Sequence, residues 1–536
     1  MTADLEKASS KADDKMGEAQ LHETTGNVVD SELARDAQAG ADAEKSMTLW
    51  QGLRAYPKAV GWSVAISMAT TMDGYDTGFL GSLLGLPAFN KQFGYVNNGK
   101  YTIPASWQSA VSNSGSIGIF IGVLINGWLT ERLGHRKILL SCYALLTGLI
   151  FIPFFAPTLG VLVAGEILCG LCWGQFSITA ATYASEVCPL ALRAYLTSYI
   201  NITWIVGQLL AACVMRGVSS MDVNNHWSYK IPFAVQWVWP IPLFTFVWFA
   251  PESPWWLVRQ DQLDKAEQSL KRLSAKDSTV DTRNTIAMMV HTNQLEKAAE
   301  TGTSYIDCFR GTDRRRTEIA CMAWATQVFF GLPLIGIPTD QAFNMGVGNR
   351  LVAFVGTALS WVMLTHFGRR QIYLFGVTLN VCVMLCIGCA SLANTHSAMW
   401  AQSILLILWP FITSMTVGSV AFSIVTEVGS TRLKAKTIAL ARNTFNGLNI
   451  VWGVAMPYLF NETEANLKGK AGFIFAGTGF LCLIYVFFRL PELKGRTYEE
   501  LDILFAEKVA ARDFKKTVVK AYQENLEKSE VHVLKH

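Results

Sequence analysis

The sequence predicts an all-α membrane protein with twelve transmembrane helices in two pseudo-symmetric six-helix halves. Three observations support this prediction. Hydrophobic residues make up 51% of the 536 residues and charged residues only 16%, where a soluble domain carries about 25% charged residues. Twelve apolar segments are each long enough, at about 20 residues, to cross a bilayer. They fall as six segments, a polar stretch and six more, and short motifs recur between the two groups.

The polar regions set the predicted domain boundaries. Residues 1–47 hold eleven Asp or Glu against five Lys or Arg, with no apolar segment, which predicts disorder, and nothing there resembles a cleaved signal peptide. The predicted regions are a disordered cytosolic N-terminal tail at 1–50, the N-terminal half at 51–250, a cytosolic middle loop with short helices at 251–317, the C-terminal half at 318–490 and a cytosolic C-terminal tail at 491–536.

Each apolar segment is a predicted span, numbered from 1 to 12 along the chain. Spans 1 to 6 cover residues 59–83, 106–129, 138–157, 160–181, 195–215 and 231–250. Spans 7 to 12 cover residues 318–337, 345–366, 372–392, 398–422, 436–459 and 472–489. Between the two sets, Leu263, Ala266, Leu270 and Leu273 recur at helical spacing, which predicts an amphipathic helix on the cytosolic surface.

Positive charge alternates between the short loops and predicts sidedness. The loops after even-numbered spans carry Lys or Arg, and the loops after spans 3 and 9 carry none. By the positive-inside rule, the even loops and both termini are therefore cytosolic. The Asn461-Glu462-Thr463 sequon then faces outside, where it either carries a glycan or stays unused.

Three charged motifs recur between the halves at a nearly constant offset. Gly134-His135-Arg136-Lys137 returns as Gly368-Arg369-Arg370, Glu186 with Arg193 returns as Glu427 with Arg432, and Pro251-Glu252 returns as Pro491-Glu492, at offsets of 234, 241 and 240 residues. Such a repeat indicates a duplicated six-helix unit with a substrate site between the halves.

These charges also predict a cytosolic gate. An Arg of one loop that pairs with a Glu of another holds that side shut in one conformation, and plain topology signals would not explain the recurring Glu. The predicted gate residues are Glu131, Arg132, Gly134, Arg136, Glu186, Arg193, Glu252, Arg369, Arg370, Glu427, Arg432 and Glu492.

The same motifs resemble those of the sugar porters of the major facilitator superfamily. The resemblance rests on the segments 131–137 (ERLGHRK), 183–193 (YASEVCPLALR), 251–259 (PESPWWLVR) and 491–501 (PELKGRTYEEL). Within that family, the segments 72–76 (MDGYD), 165–166 (GE), 431–437 (TRLKAKT) and 439–443 (ALARN) look most similar to fungal maltose and α-glucoside:proton symporters. The resemblance implies the major facilitator fold and proton-coupled import of an α-glucoside, a maltose-like disaccharide, by alternating access.

Three carboxylates inside the spans are the predicted proton-coupling residues. Asp73 and Asp76 lie three residues apart in span 1, and Glu166 lies in span 4, and neither span contains a Lys or Arg. A charged side chain at mid-membrane costs about 2.5 to 3.5 kcal/mol on insertion scales, so such residues normally face a cavity and function there. The alternative is that Asp73 and Asp76 lie near a helix end and are hydrated.

Sugar recognition needs amide and hydroxyl groups together with aromatic rings. The resemblance implies sugar contacts at Asn201 and Gln208 of span 5, Gln327 of span 7, Gly418 and Phe422 of span 10, and Asn443 and Asn446 of span 11. Any one of these amides can instead serve helix packing.

One segment departs from the family pattern. Only Val328 to Pro338 separate Gln327 from Thr339, which shortens the outer end of span 7. A transport-impaired paralogue is therefore an alternative function, and a transporter-like sugar sensor is another. We expect no enzymatic activity, metal or cofactor, because no metal-ligand cluster, nucleophile motif or phosphate-binding loop lies in a suitable setting. The expected partners are the sugar, protons and membrane lipid, without nucleic acid, for a monomer in the plasma membrane.

Overall fold

Long helices make up most of the computed structural model, which describes residues 32–97, 100–275, 281–298, 304–330, 339–393, 395–460 and 467–517. In the first half the helices are α1 (32–46), α2 (Leu49–Ala55), α3 (Pro57–Ser67), α4 (Thr70–Leu83), α5 (Pro87–Phe93), α6 (Ala105–Leu133), α7 (His135–Leu149), α8 (Phe151–Phe154), α9 (Leu159–Val187), α10 (Leu190–Ser219), α11 (Trp227–Val235) and α12 (Pro240–Phe249). They continue with α13 (Pro254–Arg259), α14 (Leu263–Leu273), α15 (Thr282–Ala298), α16 (Asp313–Val328), α17 (Thr339–His366), α18 (Arg369–Leu392), α19 (His396–Thr413), α20 (Ser419–Val428), α21 (Lys434–Phe460), α22 (Ala471–Arg489) and α23 (Tyr498–Ala506).

These helices account for the twelve predicted spans. Spans 1 to 12 correspond in order to α3 with α4, α6, α7 with α8, α9, α10, α11 with α12, α16, α17, α18, α19 with α20, α21 and α22. Within the described residues, nine of them are long and apolar enough to cross a membrane. The other three are α3 with α4, which is interrupted at Met68, α16, which is described only to Val328, and α21, which carries Lys434, Lys436 and Arg442.

Glycines bring α4 and α10 into close contact in the first half. A Cβ on Gly74 would lie 2.0 Å from the carbonyl oxygen of Trp204, and a Cβ on Gly207 would lie 2.1 Å from that of Thr71. Only glycine permits this approach, which is a common way for membrane helices to pack. The crossing fixes the position of Asp73 and Asp76, which flank Gly74 in α4.

A break in span 10 shapes the second half. Five residues, Ser414–Gly418, form a π-helical turn between α19 and α20, a few residues after Pro410 in α19. Such turns are frequent at functional sites because they rotate the residues that follow. Here the turn ends at Gly418 and precedes Phe422, two of the predicted sugar contacts.

Short helices form a collar at one end of the bundle. The collar consists of α1, α13, α14, α15 and α23, and its core includes Ala37, Ala41, Trp255, Met288 and Tyr498. The charged motifs lie at the same end, which we call the charged end. In α14, the helix predicted from the amphipathic pattern, Ala266, Leu270 and Leu273 are buried and Leu263 is exposed.

The structure differs from the predicted disorder over the second part of the N-terminal tail. Residues 32–46 are helical as α1, and the buried Ala34, Ala37 and Ala41 form an apolar face too short and too poor in large residues to stand out in the sequence. Gly40 lies so close to α15 that an added Cβ would be 2.5 Å from the carbonyl oxygen of Asn284. Tertiary packing therefore orders a segment whose composition is typical of disorder.

Two further predictions concern residues outside the described ranges. They are the short outer end of span 7 beyond residue 330 and the sequon at 461–463.

At the connection between spans 1 and 2, the strands β1 (Tyr95–Asn97) and β2 (Lys100–Thr102) pair in an antiparallel arrangement.

Candidate functional site

Asp73, one of the predicted coupling residues, lies buried between the two halves. Its Oδ2 atom accepts a hydrogen bond from Nη2 of Arg442 in α21 at 2.8 Å and another from Oγ of Ser177 in α9 at 2.9 Å. Asp73 is 0% exposed and Arg442 is 6% exposed. Spans 1 and 4 contain no Lys or Arg, and the basic partner of Asp73 comes from the second half of the chain.

Asp76 and Glu166, the other two predicted coupling residues, face each other between α4 and α9. Both are 0% exposed. Gln236 donates to Asp76 Oδ1 at 3.1 Å, whereas Asp76 Oδ2 and both Glu166 oxygens accept no hydrogen bond of normal geometry from the described residues. The alternative that Asp73 and Asp76 are hydrated at a helix end does not describe these two side chains, since both carboxyl groups are enclosed by protein.

A small cavity lies between the halves beside the Asp73–Arg442 pair. Its volume is about 20 Å³, and its wall consists of Asn201, Trp204, Trp324, Gln327, Phe422, Arg442 and Phe445. A space of this size holds about one water molecule. Both halves contribute to the wall, α10 from the first and α16, α20 and α21 from the second.

Three of the predicted sugar contacts line this cavity, namely Asn201, Gln327 and Phe422. Gly418 lies next to it, since a Cβ there would be 3.5 Å from Nδ2 of Asn201. Nδ2 of Asn201 donates to Thr357 Oγ1 at 3.5 Å and to Ser419 Oγ at 3.4 Å. Both acceptors belong to the second half.

The remaining three predicted contacts, Gln208, Asn443 and Asn446, do not line the cavity in this conformation. Asn443 donates to the carbonyl oxygen of Phe120 at 3.1 Å and so joins α21 to α6. Gln208 and Asn446 are buried, and Oε1 of the one and Nδ2 of the other have no hydrogen-bond partner in the described part of the chain.

Sequence reasoning missed four residues of the wall, which are Trp204, Trp324, Arg442 and Phe445. A signal for two of them was available. Trp204 follows Asn201 by three residues and Trp324 precedes Gln327 by three, so each tryptophan shares a helix face with a predicted contact. The Arg442 guanidinium lies over the Trp324 and Phe445 rings, 5.5 and 5.2 Å from their centroids. The aromatic wall is thus continuous with the Asp73–Arg442 ion pair.

At the charged end, each half encloses a buried glutamate in ionic contacts. Arg259 donates to Glu186 Oε1 at 2.8 Å, and His135 Nε2 lies 3.2 Å from Glu186 Oε2. In the second half, Arg369 donates to Glu427 Oε1 at 3.1 Å. The glutamates that recur between the halves therefore hold helix ends together within each half.

Other predicted gate residues make contacts of several kinds. Arg136 donates to the carbonyl oxygen of Trp248, and its counterpart Arg370 donates to that of Phe487 at 2.8 Å. The Arg132 guanidinium lies 4.1 Å from the centroid of the Trp128 ring. The Arg193 guanidinium lies at the same distance over the ring of Tyr498 in the collar. Glu252 and Glu492 accept backbone hydrogen bonds from the first residues of α7 and α18.

Several contacts join the two halves at this end. Lys436 of α21 forms an ion pair with Glu131 of α6. Thr197 and Ser423 share a hydrogen bond of 3.2 Å, and Trp361 donates to Ser198 Oγ at 3.0 Å. Because these contacts cross from one half to the other, they hold the charged end closed.

The collar adds a further connection through Glu296 of α15. Its carboxylate accepts hydrogen bonds from Thr431 N at 2.7 Å, Thr431 Oγ1 at 2.6 Å and Arg432 N at 3.2 Å. Burial, and then the nearby Asp502 carboxylate, raises the pKa of Glu296 to about 7. This glutamate ties the collar to the loop between α20 and α21.

Comparisons with known proteins agree with this arrangement. The family model for sugar (and other) transporters matches residues 62–505. The general alpha-glucoside permease of Saccharomyces cerevisiae is 38% identical over 511 residues, which cover 92% of this chain and 83% of the permease. Maltose permease MAL31 of the same yeast is 37% identical over 505 residues, which cover 91% and 82%.

Among solved structures, the major facilitator superfamily proton:xylose symporter XylE bound to 6-bromo-6-deoxy-D-glucose is similar to this chain, with a TM-score of 0.73 at 20% identity. The match covers 84% of this chain and 99% of that one. This likeness confirms the twelve-helix fold that the sequence predicts.

Proposed function

The chain belongs to the sugar transporter family of the major facilitator superfamily, and on this premise we propose that it imports an α-glucoside together with protons by alternating access. The substrate we propose is a maltose-like disaccharide, because the two permeases described above carry that class in their names. Membership of a transporter family, rather than an enzyme family, agrees with the predicted lack of enzymatic activity.

The observation that carries the proposal is the position of the Asp73–Arg442 pair. It joins α4 of the first half to α21 of the second, and Arg442 also forms part of the cavity wall. A proton that binds to Asp73 removes the charge that attracts Arg442, so protonation weakens a contact between the halves at the place where the sugar binds. This is the property that a coupling site needs.

The Asp76–Glu166 pair supplies the second part of the proposed coupling site. Two carboxylates that face each other in a buried site repel one another when both are charged, and a shared proton relieves the repulsion. In the described residues no cation pairs with either group. We therefore propose that this pair and Asp73 together form the coupling site, at which protons bind.

The central cavity fits an alternating-access cycle. At about 20 Å³ it is far smaller than a disaccharide, so sugar enters only when the two halves move apart and its wall opens. The amides of Asn201 and Gln327 then meet sugar hydroxyl groups, and the rings of Trp204, Trp324 and Phe422 pack against the sugar faces. The contacts that close the charged end represent one gate of this cycle.

The proposed orientation follows from charge. The charged end carries the Lys and Arg clusters of the even loops, which by the positive-inside rule face the cytosol. Both termini are then cytosolic, and the Glu131–Lys436 pair belongs to the cytosolic gate of a monomer in the plasma membrane.

Uptake of labelled sugars by transport-null cells, with external pH recorded, tests the proposal. One pH unit supplies about 1.4 kcal/mol per proton and a potential of 100 mV about 2.3 kcal/mol, which together support about 500-fold accumulation. Maltose, isomaltose, trehalose, sucrose and a monosaccharide form the panel. We expect an α-glucoside to accumulate and to cause external alkalinisation.

The Glu166→Gln variant extends this test. It should keep downhill flux and lose accumulation and pH dependence, since a neutral amide imitates the protonated carboxyl group. A triple variant combines Asp73→Asn, Asp76→Asn and Glu166→Gln. If this variant still concentrates sugar and still takes up protons, the proposal is overturned. Sugar binding by the wild type without any uptake would instead favour a sensor or a transport-impaired paralogue.

A further inference from the structure

Trp324 lies where the central cavity meets the ion pair between the halves. It is 1% exposed, it lines the cavity, and its ring lies under the Arg442 guanidinium. We propose that Trp324 is the positioning residue through which bound sugar loosens the Asp73–Arg442 pair. This inference rests on the proposed function and adds to it the residue that connects the sugar to the proton.

Trp324 carries a hydrogen-bond donor that a hydroxyl-rich ligand can use. Its Nε1 atom is buried and has no hydrogen-bond acceptor among the residues that the structure describes. A buried donor without an acceptor is unfavourable, and Gln327, one helical turn further along α16, lines the same wall. A sugar hydroxyl group in the enlarged cavity supplies the missing acceptor.

The other side of Trp324 supports Arg442. The guanidinium is bonded to Asp73 through Nη2 alone, and Nε finds no acceptor in the described ranges. On the carboxylate, Oδ2 accepts both hydrogen bonds while Oδ1 accepts none from described residues. An ion pair held by a single hydrogen bond depends on what else fixes its members, and for Arg442 these are the Trp324 and Phe445 rings.

The two sides together give a mechanism. Trp324 also packs edge to face against Phe422, with centroids 5.3 Å apart. When sugar enlarges the cavity and packs against Trp324, the indole ring must shift within this aromatic group, and its face moves relative to Arg442, while the bond to Nε1 adds affinity for the sugar. The guanidinium then retreats from Asp73, and the freed carboxylate takes up a proton from water in the opened cavity. By reciprocity, a proton on Asp73 favours the ring position that binds sugar.

Two substitutions separate the two sides of Trp324. Trp324→Phe removes the N–H donor and keeps an aromatic face under Arg442. It should raise the half-saturation concentration for sugar about two- to tenfold, the usual value of one hydrogen bond, and keep the number of protons taken up per sugar. Trp324→Leu removes the aromatic face as well, so this ratio should fall and protons should enter without sugar.

Trp409→Phe is the matched control, because Trp409 Nε1 is also buried without a partner in the described residues, while its side chain does not line the cavity. It should leave both values unchanged. Uptake is divided by the amount of protein at the cell surface, and if Trp324→Leu does not reach the surface, Trp324→Met replaces it, since it also removes the aromatic face and should lower the same ratio.

Each outcome separates the inference from the function on which it rests. Wild-type sugar uptake without proton uptake would overturn the proposed function. Wild-type coupling combined with an unchanged half-saturation concentration in Trp324→Phe, or with a wild-type proton ratio in Trp324→Leu, would overturn only the role of Trp324.

Discussion

Glu252 and Glu492 occupy equivalent places in the two halves and bind the same backbone element. Glu252 accepts hydrogen bonds from His135 N at 3.0 Å and Arg136 N at 3.1 Å, at the start of α7. Glu492 accepts one from Arg369 N at 2.8 Å, at the start of α18. A carboxylate at a helix N-terminus satisfies unpaired N–H groups and the helix dipole. In each half, the glutamate that follows the last span therefore caps the N-terminus of the half's third span, which is α7 in the first half and α18 in the second.

The glycines beside these glutamates lead to a first prediction. A Cβ on Gly134 would lie 2.6 Å from Glu252 Oε2, and one on Gly368 would lie 2.0 Å from Glu492 Oε2. Gly134 also has φ of +82°, whereas Gly368 has −77°. We expect Gly134→Ala and Gly368→Ala both to lower the melting temperature in detergent. Gly134→Ala carries an additional backbone strain of about 1 to 3 kcal/mol, because φ of +82° with ψ of 166° is a region that essentially only glycine adopts.

Gly148→Ala is the control for this comparison, because a Cβ at Gly148 in α7 meets nothing within 4 Å. It should leave the melting temperature unchanged or raise it slightly, since alanine favours helix more than glycine does. If Gly134→Ala and Gly368→Ala matched this control, the glutamate contacts would not be important for stability.

The Glu131–Lys436 pair leads to a second prediction. It joins the halves at the charged end, with 33% of the Glu131 side chain and 4% of the Lys436 side chain exposed. Lys436→Glu should open that end, because it places two carboxylates face to face, and Glu131→Lys should do the same with two cations. The exchanged double variant should restore closure in part. Labelling of a cysteine placed in the cavity, from the cytosolic side of inverted vesicles, reports opening.

The result of the exchange decides between attraction and packing. A Glu131→Lys, Lys436→Glu double variant that is labelled more slowly than either single variant supports the ion pair. If the double variant were labelled at a rate that combines the accelerations of the two single variants, the ion pair would be contradicted. The effects of independent sites add, whereas those of residues in contact do not.

The repeated charges were predictable because the repeat itself marks them. Glu186 and Glu427, or Glu252 and Glu492, stand out when one half is compared with the other, and each keeps its role within its own half. Arg442 did not stand out, although it lies in a segment similar to the family pattern. Its partner Asp73 is 369 positions away, and helical spacing reports only neighbours on one element. Contacts between halves depend on how the halves pack, which no local pattern encodes.

Glu296 leads to a third prediction, on pH. Its pKa is raised to about 7 by burial, and then by Asp502, when α15 is docked, and returns to its ordinary value near 4.5 when it is undocked. A raised pKa means that docking takes up a proton, so this contribution to docking is fully present below about pH 4.5 and is lost as pH rises through 7. Burial also raises the pKa of Asp502 beside it, and Arg316 opposes both shifts. Protease cleavage within α15 should therefore accelerate between pH 5 and 8.

Glu296→Gln should flatten this pH profile, because the amide oxygen still accepts from Thr431 and carries no charge. Glu267→Gln is the control, since Glu267 in α14 has a 47% exposed side chain paired with Lys271 and should keep the wild-type profile. A wild-type pH profile in Glu296→Gln would exclude this glutamate as the cause.

The N-terminal helix leads to a fourth prediction. α1 packs on α15 through Gly40, Lys45 pairs with Glu500 of α23 at 2.9 Å, and the carboxyl group of Glu44 interacts with Arg193. Gly40→Leu should displace α1, since a Cβ alone would lie 2.5 Å from a carbonyl oxygen of α15. Limited proteolysis should then cleave residues 32–46 much faster. Ala43→Leu, on the exposed side of α1, should not change the rate.

Asp73 and Arg442 lead to the last prediction, which separates the three carboxylates proposed for coupling. Removal of one member of a buried ion pair leaves the other charge uncompensated and typically costs about 3 to 5 kcal/mol. Asp73→Asn and Arg442→Met should therefore each reduce the amount of folded protein, measured by fluorescence-detected size-exclusion chromatography. The Asp73→Asn, Arg442→Met double variant should recover most of the folded protein, since neither member of this pair is then charged.

Glu166→Gln serves as the comparison and should fold like the wild type, because Glu166 faces Asp76 and no cation loses its partner. A double variant that folds no better than the worse single variant would contradict the pairing, and a poorly folded Glu166→Gln would contradict the separate role of the Asp76–Glu166 pair.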